Sequence, residues 1–587
     1  MAFFHFRQTD IFDSGIRGAD GRLGKVKRIV YGFDLFKEDC NNSGELARKT
    51  KYGGTMKSSN SFARGLVSAG ILMLVFVFGI CPAFAKKDTL VLAVGGENAE
   101  GYDPLLGWGS YGNPLFQSTL LKRDSGLNIV SDLATAWKLS KDRKTWTVTI
   151  RGDAKFSDGS FLTAKDIAFT FNKGLEAGGK IDLSPLERAV VVDDTTVELH
   201  LKQPDITFIQ HLITMGIVPE KLYGPDYGRN PVGSGPYKLI RWDEGQQMIV
   251  EANDLYYGKQ PEIKRLVFLF SEEDAALAAA RAGKVDVLGV PSSLARQNIP
   301  GMKLHVVKSV DNRGLMFPTV PDKGKKTPKG TPIGNNVTAD TAFRKAVNYA
   351  INRRALVDGV LDGFGRPAFG VVDDLPWDNP DIRFQDNDIE KAKNILEKAG
   401  WVDKDGDGIR EKGDMRAEFT IVYNAKDSLR QGLALAVSDM LKPVGINAIP
   451  KGENWDRIKT QLTHTHVVVY GFGDHSPLEM CKLYHTPGPE PLYWNAGFYS
   501  NPAVDHHMEK ARTAASFEAS IPHWRKAQWD GKTGFTVPGD AAWAWMVNLN
   551  HTYFLNKCLD VGKSQMEPHG HGWPITANIN EWTWTCE

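Results

Sequence analysis

The chain has 587 residues, with 71 Lys and Arg against 70 Asp and Glu and a formal net charge of +1. This length is more than one hydrophobic core fills, so two or three lobes are expected. No long basic run follows residue 85, so the charge needed to grip a phosphate backbone is missing and nucleic acid is excluded as an expected partner.

The first 85 residues carry the features of a secretory signal peptide. Arg64 precedes an apolar run at 65–80, and an Ala-x-Ala sequence at 83–85 predicts cleavage directly after it. Translation is expected to start at Met56, and the extension upstream of it is given no functional role. An uncleaved membrane anchor is the alternative, although the run is short for a spanning helix. Cleavage leaves 59 basic and 63 acidic side chains, a formal charge of −4.

The first half of the mature chain combines predicted strands and helices. A buried strand is expected at 89–95, and alternation of polar and apolar residues at 145–150 predicts a strand with one buried face. Thr163 is expected to cap the helix that follows. An Ala-rich helix at 275–282 precedes a strand at 285–288, and such a unit is typical of α/β lobes.

The second half continues in the same way. Amphipathic helices are predicted at 344–357 and 389–399, with their Lys, Arg and Glu on solvated faces. A buried strand at 466–470 leads into a Gly-rich loop at 471–475. Because open α/β sheets present ligand contacts in the loops beyond the carboxyl ends of their strands, this loop indicates the position of a cleft.

The order of residues at 132–171 is more specific than its periodicity, and further motifs follow it along the chain. The residues concerned are Leu133, Ala134, Ala136, Trp137, Ser140, Asp142, Lys155, Phe156, Asp158, Gly159, Thr163, Ala164, Asp166, 233–237, Asn253, Tyr256, Tyr257, 283–286, 344–354, 392–401, 499–502 and Asp505. They resemble the signature of the family 5 extracytoplasmic solute-binding proteins, the peptide- and nickel-binding components of ABC importers. The resemblance covers nearly the whole chain after the leader.

This resemblance implies an α/β, two-lobed periplasmic-binding-protein type II fold with an extra subdomain in lobe I. Lobe I is then expected at 86–310 and lobe II at 311–545, and 546–587 returns to lobe I. The implied function is to capture a ligand by closure of the lobes and deliver it to a membrane ABC permease. A monomer in the periplasm, or at the cell surface where there is no outer membrane, is expected.

Candidate ligand-binding residues follow from the matching positions. The family's cleft-lining loop corresponds to 107–112, which lacks the His of some nickel-binding members. Arg313 offers a guanidinium to a ligand carboxylate, with a surface salt bridge as the alternative. Aromatic side chains are expected to wall the cleft, although aromatic residues more often belong to a core. The expected set is Trp108, Tyr111, Arg313, Phe472, Asp474, His475 and Trp573.

Three histidines are candidate metal ligands. His569 and His571 alternate along an extended segment and so point the same way, which suits a borderline metal such as nickel. His571 also matches the place of a His in the tail of nickel-binding family members, and His475 lies in the loop where another branch carries one. A Gly-rich turn with two exposed histidines is the alternative. Nickel, as a chelate, is therefore expected as the transported ligand and no cofactor is required, with an oligopeptide or dipeptide as the other ligand.

A calcium-binding pattern lies outside the expected cleft. Asp403, Asp405 and Asp407, with Asp414 at the twelfth place, resemble the first half of an EF-hand loop, in which carboxylates converge on a hard cation. Asp414 replaces the longer, bidentate Glu of that loop. An empty surface turn is the alternative.

The sequence contains no GxSxG, HExxH or Walker motif, so the chain is not expected to be an enzyme. A secreted metallohydrolase using the same histidines is the alternative from another class. Three cysteines remain after residue 85, namely Cys481, Cys558 and Cys586, and none has CxxC spacing. At most one disulfide is therefore expected.

Overall fold

The structure is a computed structural model that describes residues 87–98, 100–487 and 493–586. The predicted signal peptide and the extension before it lie outside these residues. Within the described ranges, no helix is both long and apolar enough to cross a lipid bilayer.

Strands and helices alternate along the described chain. The strands are β1 (Thr89–Ala93), β2 (Leu121–Arg123), β3 (Ile129–Ser131), β4 (Ala134–Leu139), β5 (Thr145–Ile150), β6 (Leu186–Val191), β7 (Thr196–Leu201), β8 (Tyr237–Asp243), β9 (Gln247–Ala252), β10 (Arg265–Leu269), β11 (Val287–Val290), β12 (Met302–Met316), β13 (Gly365–Pro367), β14 (Glu411–Lys412), β15 (Met415–Arg416), β16 (Glu418–Asn424), β17 (Asn447–Glu453), β18 (Val467–Tyr470), β19 (Trp543–Asn556), β20 (Leu559–Asp560) and β21 (Thr583–Trp584). The α-helices are α1 (Ala164–Ala177), α2 (Ile209–Thr214), α3 (Glu273–Arg281), α4 (Thr341–Ala350), α5 (Arg353–Val360), α6 (Ile389–Lys398), α7 (Ser428–Leu441), α8 (Trp455–Arg457), α9 (Leu478–Tyr484), α10 (Pro502–Arg512) and α11 (Phe517–Gln528).

The largest sheet has eleven strands in the order β17-β16-β18-β12-β19-β11-β1-β10-β9-β8, with β13 paired to β19. β1 lies parallel to β10 and β11, and β16 lies parallel to β17 and β18. β19 is antiparallel to both β11 and β12. The sequence VVVY of β18 is buried at all four positions, which explains why this strand is continuously apolar.

Two long strands, β12 and β19, connect the two parts of this sheet. Residues 302–308 of β12 pair with 550–556 of β19, and 312–316 pair with 543–548. A break in register separates the two halves, at the place where the crossing near residue 310 is expected. β11 pairs with β19 on one side of the break and β18 pairs with β12 on the other. The lobe limits of 86–310, 311–545 and 546–587 remain predictions.

A separate four-stranded antiparallel sheet, in the order β4-β5-β7-β6, packs against α1. β5 alternates half-buried and buried residues, as its sequence TWTVTI predicts. The backbone N–H of Thr163 donates to Asp166 Oδ2 at 2.9 Å and so caps α1. Ile167 and Phe171 of α1 belong to the same hydrophobic core as Trp146 of β5.

The helix predicted at 344–357 is two helices. α4 ends at Ala350, and Ile351 has extended backbone angles. The side chain of Asn352 then accepts the N–H of Ala355 at 2.9 Å. The single-helix prediction is wrong because this capping interaction begins a new helix, α5.

Two arginines of these helices are buried, which corrects the expectation that their charges face solvent. Arg344 and Arg353 are 3% and 0% exposed. Arg353 Nε donates to the carbonyl oxygens of Ala368 and Trp545, both at 2.8 Å. The amphipathic pattern of a helix contains no information on carbonyl groups that distant segments bring to it.

A disulfide joins Cys558 and Cys586, and Cys481 is free. The expected maximum of one disulfide is therefore met. The two half-cystines are separated by 28 positions and flank the pairing of β20 with β21. The loop that they close includes the candidate residues His569, His571 and Trp573.

We expect the double variant Cys558→Ser/Cys586→Ser to lose about 3 kcal/mol of unfolding free energy, because the disulfide restricts a loop of 28 residues in the unfolded chain. Urea denaturation followed by tryptophan fluorescence measures this loss. Reductant should destabilise the wild type and Cys481→Ala alike and leave the double variant unaffected. Equal stability of the double variant and the wild type would contradict a structural role for the bond.

Candidate functional site

Among the cavities of ligand size in the described residues, two are lined by candidate site residues and are the largest of this set. The first cavity, of about 780 Å³, lies between the segment after β1, at Gly95, and the start of α7, at Asp427 and Ser428, with Arg313 in its wall. The second cavity, of about 790 Å³, lies between the end of α1 and the segment of α9 and α10, and Lys482 lies in its wall. Both volumes are in the range of 300–1,000 Å³ that is typical of ligand sites.

The carboxylate of Asp311 is the centre of a buried network next to the first cavity. Arg313 Nη1 donates to Asp311 Oδ1, His569 Nδ1 lies 2.5 Å from the same oxygen, and His551 Nε2 lies 3.1 Å from Oδ2. Burial alone would raise the pKa of Asp311, but Arg313, His569 and His551 hold it well below its usual range. Arg313 is therefore in a buried ion pair, not the surface salt bridge considered as an alternative.

His551 extends the network to a second buried carboxylate. Its Nδ1 lies 2.5 Å from Glu567 Oε2, which also accepts the hydroxyl of Tyr553 at 2.8 Å. Burial alone would lower the pKa of His551, but its hydrogen bonds to Asp311 and Glu567 raise the pKa to about 9. His551 is therefore a cation at neutral pH.

His569 and His571 lie together at the edge of this network. Their ring centroids are 4.8 Å apart, and the ring of Tyr111 lies 5.8 Å from His569 and 6.3 Å from His571. Burial lowers the pKa of His569. The positive charge that His569 acquires when it is protonated is the main cause that lowers the pKa of His571 to about 3, and burial is the second cause. Both imidazoles are therefore neutral. Since Asp311 is ionised, Nδ1 of His569 carries the proton and its Nε2 keeps a free lone pair.

His475 is buried separately from this pair. It is 4% exposed, its carbonyl oxygen accepts Arg123 Nη2 at 2.9 Å, and its Nε2 has no hydrogen-bond partner among the described residues. Burial and Arg123 lower its pKa to about 4. In the described ranges, His475, His569 and His571 do not form a group of three with ligand atoms within 4.8 Å of one another. Its neighbour Asp474 lies 3.4 Å from Lys482 Nζ.

The three expected aromatic wall residues are packed against other aromatic side chains. Trp108 and Trp573 are 5% and 3% exposed, and their rings lie 5.2 Å apart in one hydrophobic core. Phe472 is also buried and lies 5.2 Å from the ring of Trp494. Core packing accounts for all three, and their contact with a ligand remains a prediction.

The candidate calcium loop has a different set of acidic side chains from the expected one. The group with ligand atoms within 4.8 Å of one another is Asp403, Asp405 and Glu411. The expected Asp407 instead pairs with Arg416. The hairpin of β14 and β15 returns Glu411 to the loop and places Asp414 in the intervening turn, which the EF-hand comparison did not anticipate.

Arg430 is a buried arginine that the sequence reasoning did not single out, and its partner Asp427 lines the first cavity. It is 9% exposed, donates from Nη1 to Asp427 and lies 5.4 Å from the centroid of the Trp455 ring. Burial and the charge of Arg313 lower the pKa of Arg430. In the sequence Arg430 is one basic residue of an amphipathic helix, and nothing in that pattern distinguishes it.

The comparison with known protein families identifies the family to which this chain belongs. Residues 128–480 match the family described as Bacterial extracellular solute-binding proteins, family 5 Middle. The chain belongs to this family. Its members are substrate-binding proteins of ABC transporters and not enzymes, so the metallohydrolase alternative has no support.

Individual relatives cover most of the chain. Protein XP55 of Streptomyces lividans is 31% identical over 498 residues, which cover 82% of this chain and 87% of XP55. Oligopeptide-binding protein AppA of Bacillus subtilis is 27% identical over 493 residues, covering 76% of this chain and 88% of AppA. The crystal structure of NikZ from Campylobacter jejuni matches with a TM-score of 0.73 at 22% identity, covering 85% of this chain and 100% of NikZ.

These findings confirm the expected family, the two-lobed α/β fold and the role of an extracytoplasmic substrate-binding component of an ABC importer. They do not select one ligand, since relatives named for peptides and for nickel both match.

We expect the protein to lose stability between pH 6.5 and 9 through His551. The folded-state pKa of about 9 lies above the unfolded value, so the contribution is complete below pH 6.5 and disappears as the pH rises through 9. The two values differ by an amount equivalent to about 3 kcal/mol. Urea denaturation at several pH values should give a steeper loss for the wild type than for His551→Gln. The exposed His506→Gln is the matched control, and equal slopes for wild type and His551→Gln would contradict the assignment.

Proposed function

We propose that this protein captures nickel as a chelate in the cleft beside Asp311 and delivers it to an ABC permease. The observation that carries the proposal is the pair of neutral imidazoles, His569 and His571, with ring centroids 4.8 Å apart. Neutral imidazole is a preferred ligand of nickel. The hydrogen bond from His569 Nδ1 to Asp311 resembles the carboxylate–histidine arrangement that orients metal ligands in many proteins.

The chelator gives this proposal its second contact. Two histidines leave most positions of a nickel ion open, so other ligands must accompany the metal. Arg313 lies in the wall of the first cavity and is near His571, whose pKa it helps to lower. A carboxylate of the chelator is the group that a buried guanidinium binds best. The NikZ structure contains Ni(L-His), which supports a nickel–amino-acid complex as the ligand class.

An oligopeptide is the second candidate. The observation that favours it is the presence of two cavities of about 780 and 790 Å³, since a single small chelate does not need both. AppA of Bacillus subtilis is named for oligopeptide binding and its relationship extends over most of both chains. In this case Arg313 would bind a peptide carboxylate and the two histidines would act only as hydrogen-bonding groups.

Capture proceeds by closure of the lobes. Arg512 Nη2 lies 2.6 Å from Oδ2 of Asp205, which is 2% exposed, and Arg123 reaches the carbonyl oxygen of His475. In each case the two partners belong to different expected lobes, so these contacts require the closed form. A ligand shifts the equilibrium toward that form by the difference in its affinity for the two forms.

We expect isothermal titration of purified residues 86–587 to show binding of a nickel–histidine mixture that is at least about 10-fold weaker in His571→Ala, because one metal ligand is lost. His506→Ala, which changes an exposed histidine of α10, is the matched control. A short peptide pool is titrated in parallel.

If the peptide pool binds and the nickel–histidine mixture does not, the ligand is an oligopeptide and not a nickel chelate. Equal nickel affinity in the wild type and His571→Ala would remove the histidine pair from the site. Hydrolysis of a peptide would contradict the family assignment as a binding protein.

We expect Arg512→Gln to increase the radius of gyration of the ligand-free protein in small-angle X-ray scattering and to weaken ligand binding by about 10-fold, because it removes a contact made only in the closed form. Arg354→Gln, in an exposed ion pair within α5, is the matched control. An unchanged radius and affinity in Arg512→Gln would show that this ion pair does not contribute to closure.

A further inference from the structure

We infer that Lys482 fills a cation site in the wall of the second cavity with its own ammonium group, and that it thereby excludes ligands with a free ammonium group from this cavity. The inference rests on the proposed function and makes it narrower. It assigns a specificity-determining role to Lys482 and distinguishes the two candidate ligands by the state of their amino groups.

The first evidence is the set of side chains around the ammonium group of Lys482. Its Nζ lies 3.4 Å from Asp474 Oδ2 and 3.2 Å from Glu479 Oε2, and it lies 5.3 Å from the centroid of the Trp494 ring. Carboxylates and the face of an indole ring are the groups that attract an ammonium ion most strongly. Asp474, Glu479 and Trp494 therefore form a cation cage, and Lys482 supplies its occupant.

The second evidence is that the cage has no other cation. Asp474 and Glu479 are 9% and 0% exposed, and among the described residues Lys482 alone forms an ion pair with either of them. Oε1 of Glu479 is buried and has no hydrogen-bond partner in the part of the chain that the structure describes. Removal of the lysine ammonium would leave two buried carboxylates without a cation, which is strongly unfavourable. The cage is therefore expected to take up another ammonium group when Lys482 is absent.

The third evidence is that a ligand can reach the cage. Asp474, Lys482 and Trp494 all line the second cavity, and the side chain of Lys482 is 28% exposed. A group that enters the cavity therefore meets the cage with Lys482 already in it. An ammonium group of a ligand would lie next to the ammonium group of the lysine, and two like charges at short distance repel each other.

The two candidate ligands differ in this respect. The α-amino group of a peptide has a pKa of about 7.7–8.0, so at neutral pH it is mostly an ammonium group. An amine that coordinates nickel donates its lone pair to the metal and cannot carry the extra proton at the same time. The occupied cage thus disfavours a peptide amino terminus in the second cavity and is compatible with a nickel–amino-acid chelate.

The first test is chemical rescue of Lys482→Ala. Alanine keeps Cβ of the lysine, and n-propylammonium supplies the carbon atoms and the ammonium group that the substitution removes. We expect the unfolding temperature of Lys482→Ala to lie below that of the wild type and to rise with n-propylammonium but not with n-propanol, because a compound that binds the folded state stabilises it. Lys180→Ala is the matched control and should show no rescue, since Lys180 lines the same cavity but forms an exposed ion pair with Glu100.

The second test is isothermal titration of trialanine and N-acetyl-trialanine into residues 86–587 of the wild type, Lys482→Ala and Lys180→Ala. The two peptides have the same carboxylate and differ only in the amino group. We expect Lys482→Ala to bind trialanine at least about 10-fold more tightly than N-acetyl-trialanine, because the empty cage accepts the peptide ammonium group. The wild type and Lys180→Ala should not show this preference.

Each test can overturn one part of the inference. Absence of rescue by n-propylammonium overturns the cation cage, and so does a Lys482→Ala protein that folds with neither additive. The same preference in the wild type and Lys482→Ala, or binding of neither peptide by Lys482→Ala, overturns the exclusion of ammonium ligands. These outcomes leave nickel binding by the wild type intact. Failure of the wild type to bind the nickel–histidine mixture overturns the proposed function and not the cage.

Discussion

The carboxylate of Asp311 connects three parts of the chain that are distant in sequence. It lies on β12, accepts His551 from β19 and contacts His569 from the C-terminal segment, and Arg313 shares its strand. A buried carboxylate is costly unless cations and hydrogen bonds surround it, and here three partners do so. Removal of this carboxylate would leave Arg313 without its ion pair and would remove one of the two hydrogen bonds of His551. It would also remove the hydrogen bond that fixes the proton of His569 on Nδ1. The candidate site therefore depends on this one carboxylate.

The position of Asp311 also explains how binding and closure are linked. It lies within the break in register between the two halves of β12, where the long strands pass between the two parts of the sheet. The proposed metal ligand His569 thus lies close to the crossover, because it contacts Asp311. A ligand bound near the crossover can meet both lobes, which is the requirement for a ligand that stabilises the closed form.

Local sequence patterns predict local structure well in this chain, and the site only in part. The strand at 145–150 and the cap at Thr163 depend on neighbouring residues, so their periodicity and chemistry are readable directly. Asp311 and Arg313 are two positions apart on one strand and share a face, so their pairing was accessible to the same reasoning. The contacts of His551 and Glu567 could not be predicted in this way, because each residue lies more than 200 positions from Asp311 and only the fold brings them together. The burial of Arg344 and Arg353 could not be predicted either, because the carbonyl groups that they bind come from segments distant in sequence.

Charge balance explains why the proposed ligand is a chelate and not a free ion. Near the two imidazoles, the cations Arg313, Arg430 and His551 are matched by the anions Asp311, Asp427 and Glu567, and every one of these carboxylates already has a cationic partner. A bare divalent cation would find two neutral nitrogens beside two guanidinium groups and no free carboxylate of this network. A chelator that brings its own negative charge reverses this balance, because its carboxylates meet the guanidinium groups while the metal meets the imidazoles. The same balance applies to a peptide, whose carboxylate would meet Arg313 but whose backbone has no need of two neutral imidazoles, so the histidine pair is the part of the site at which the two proposed ligands differ.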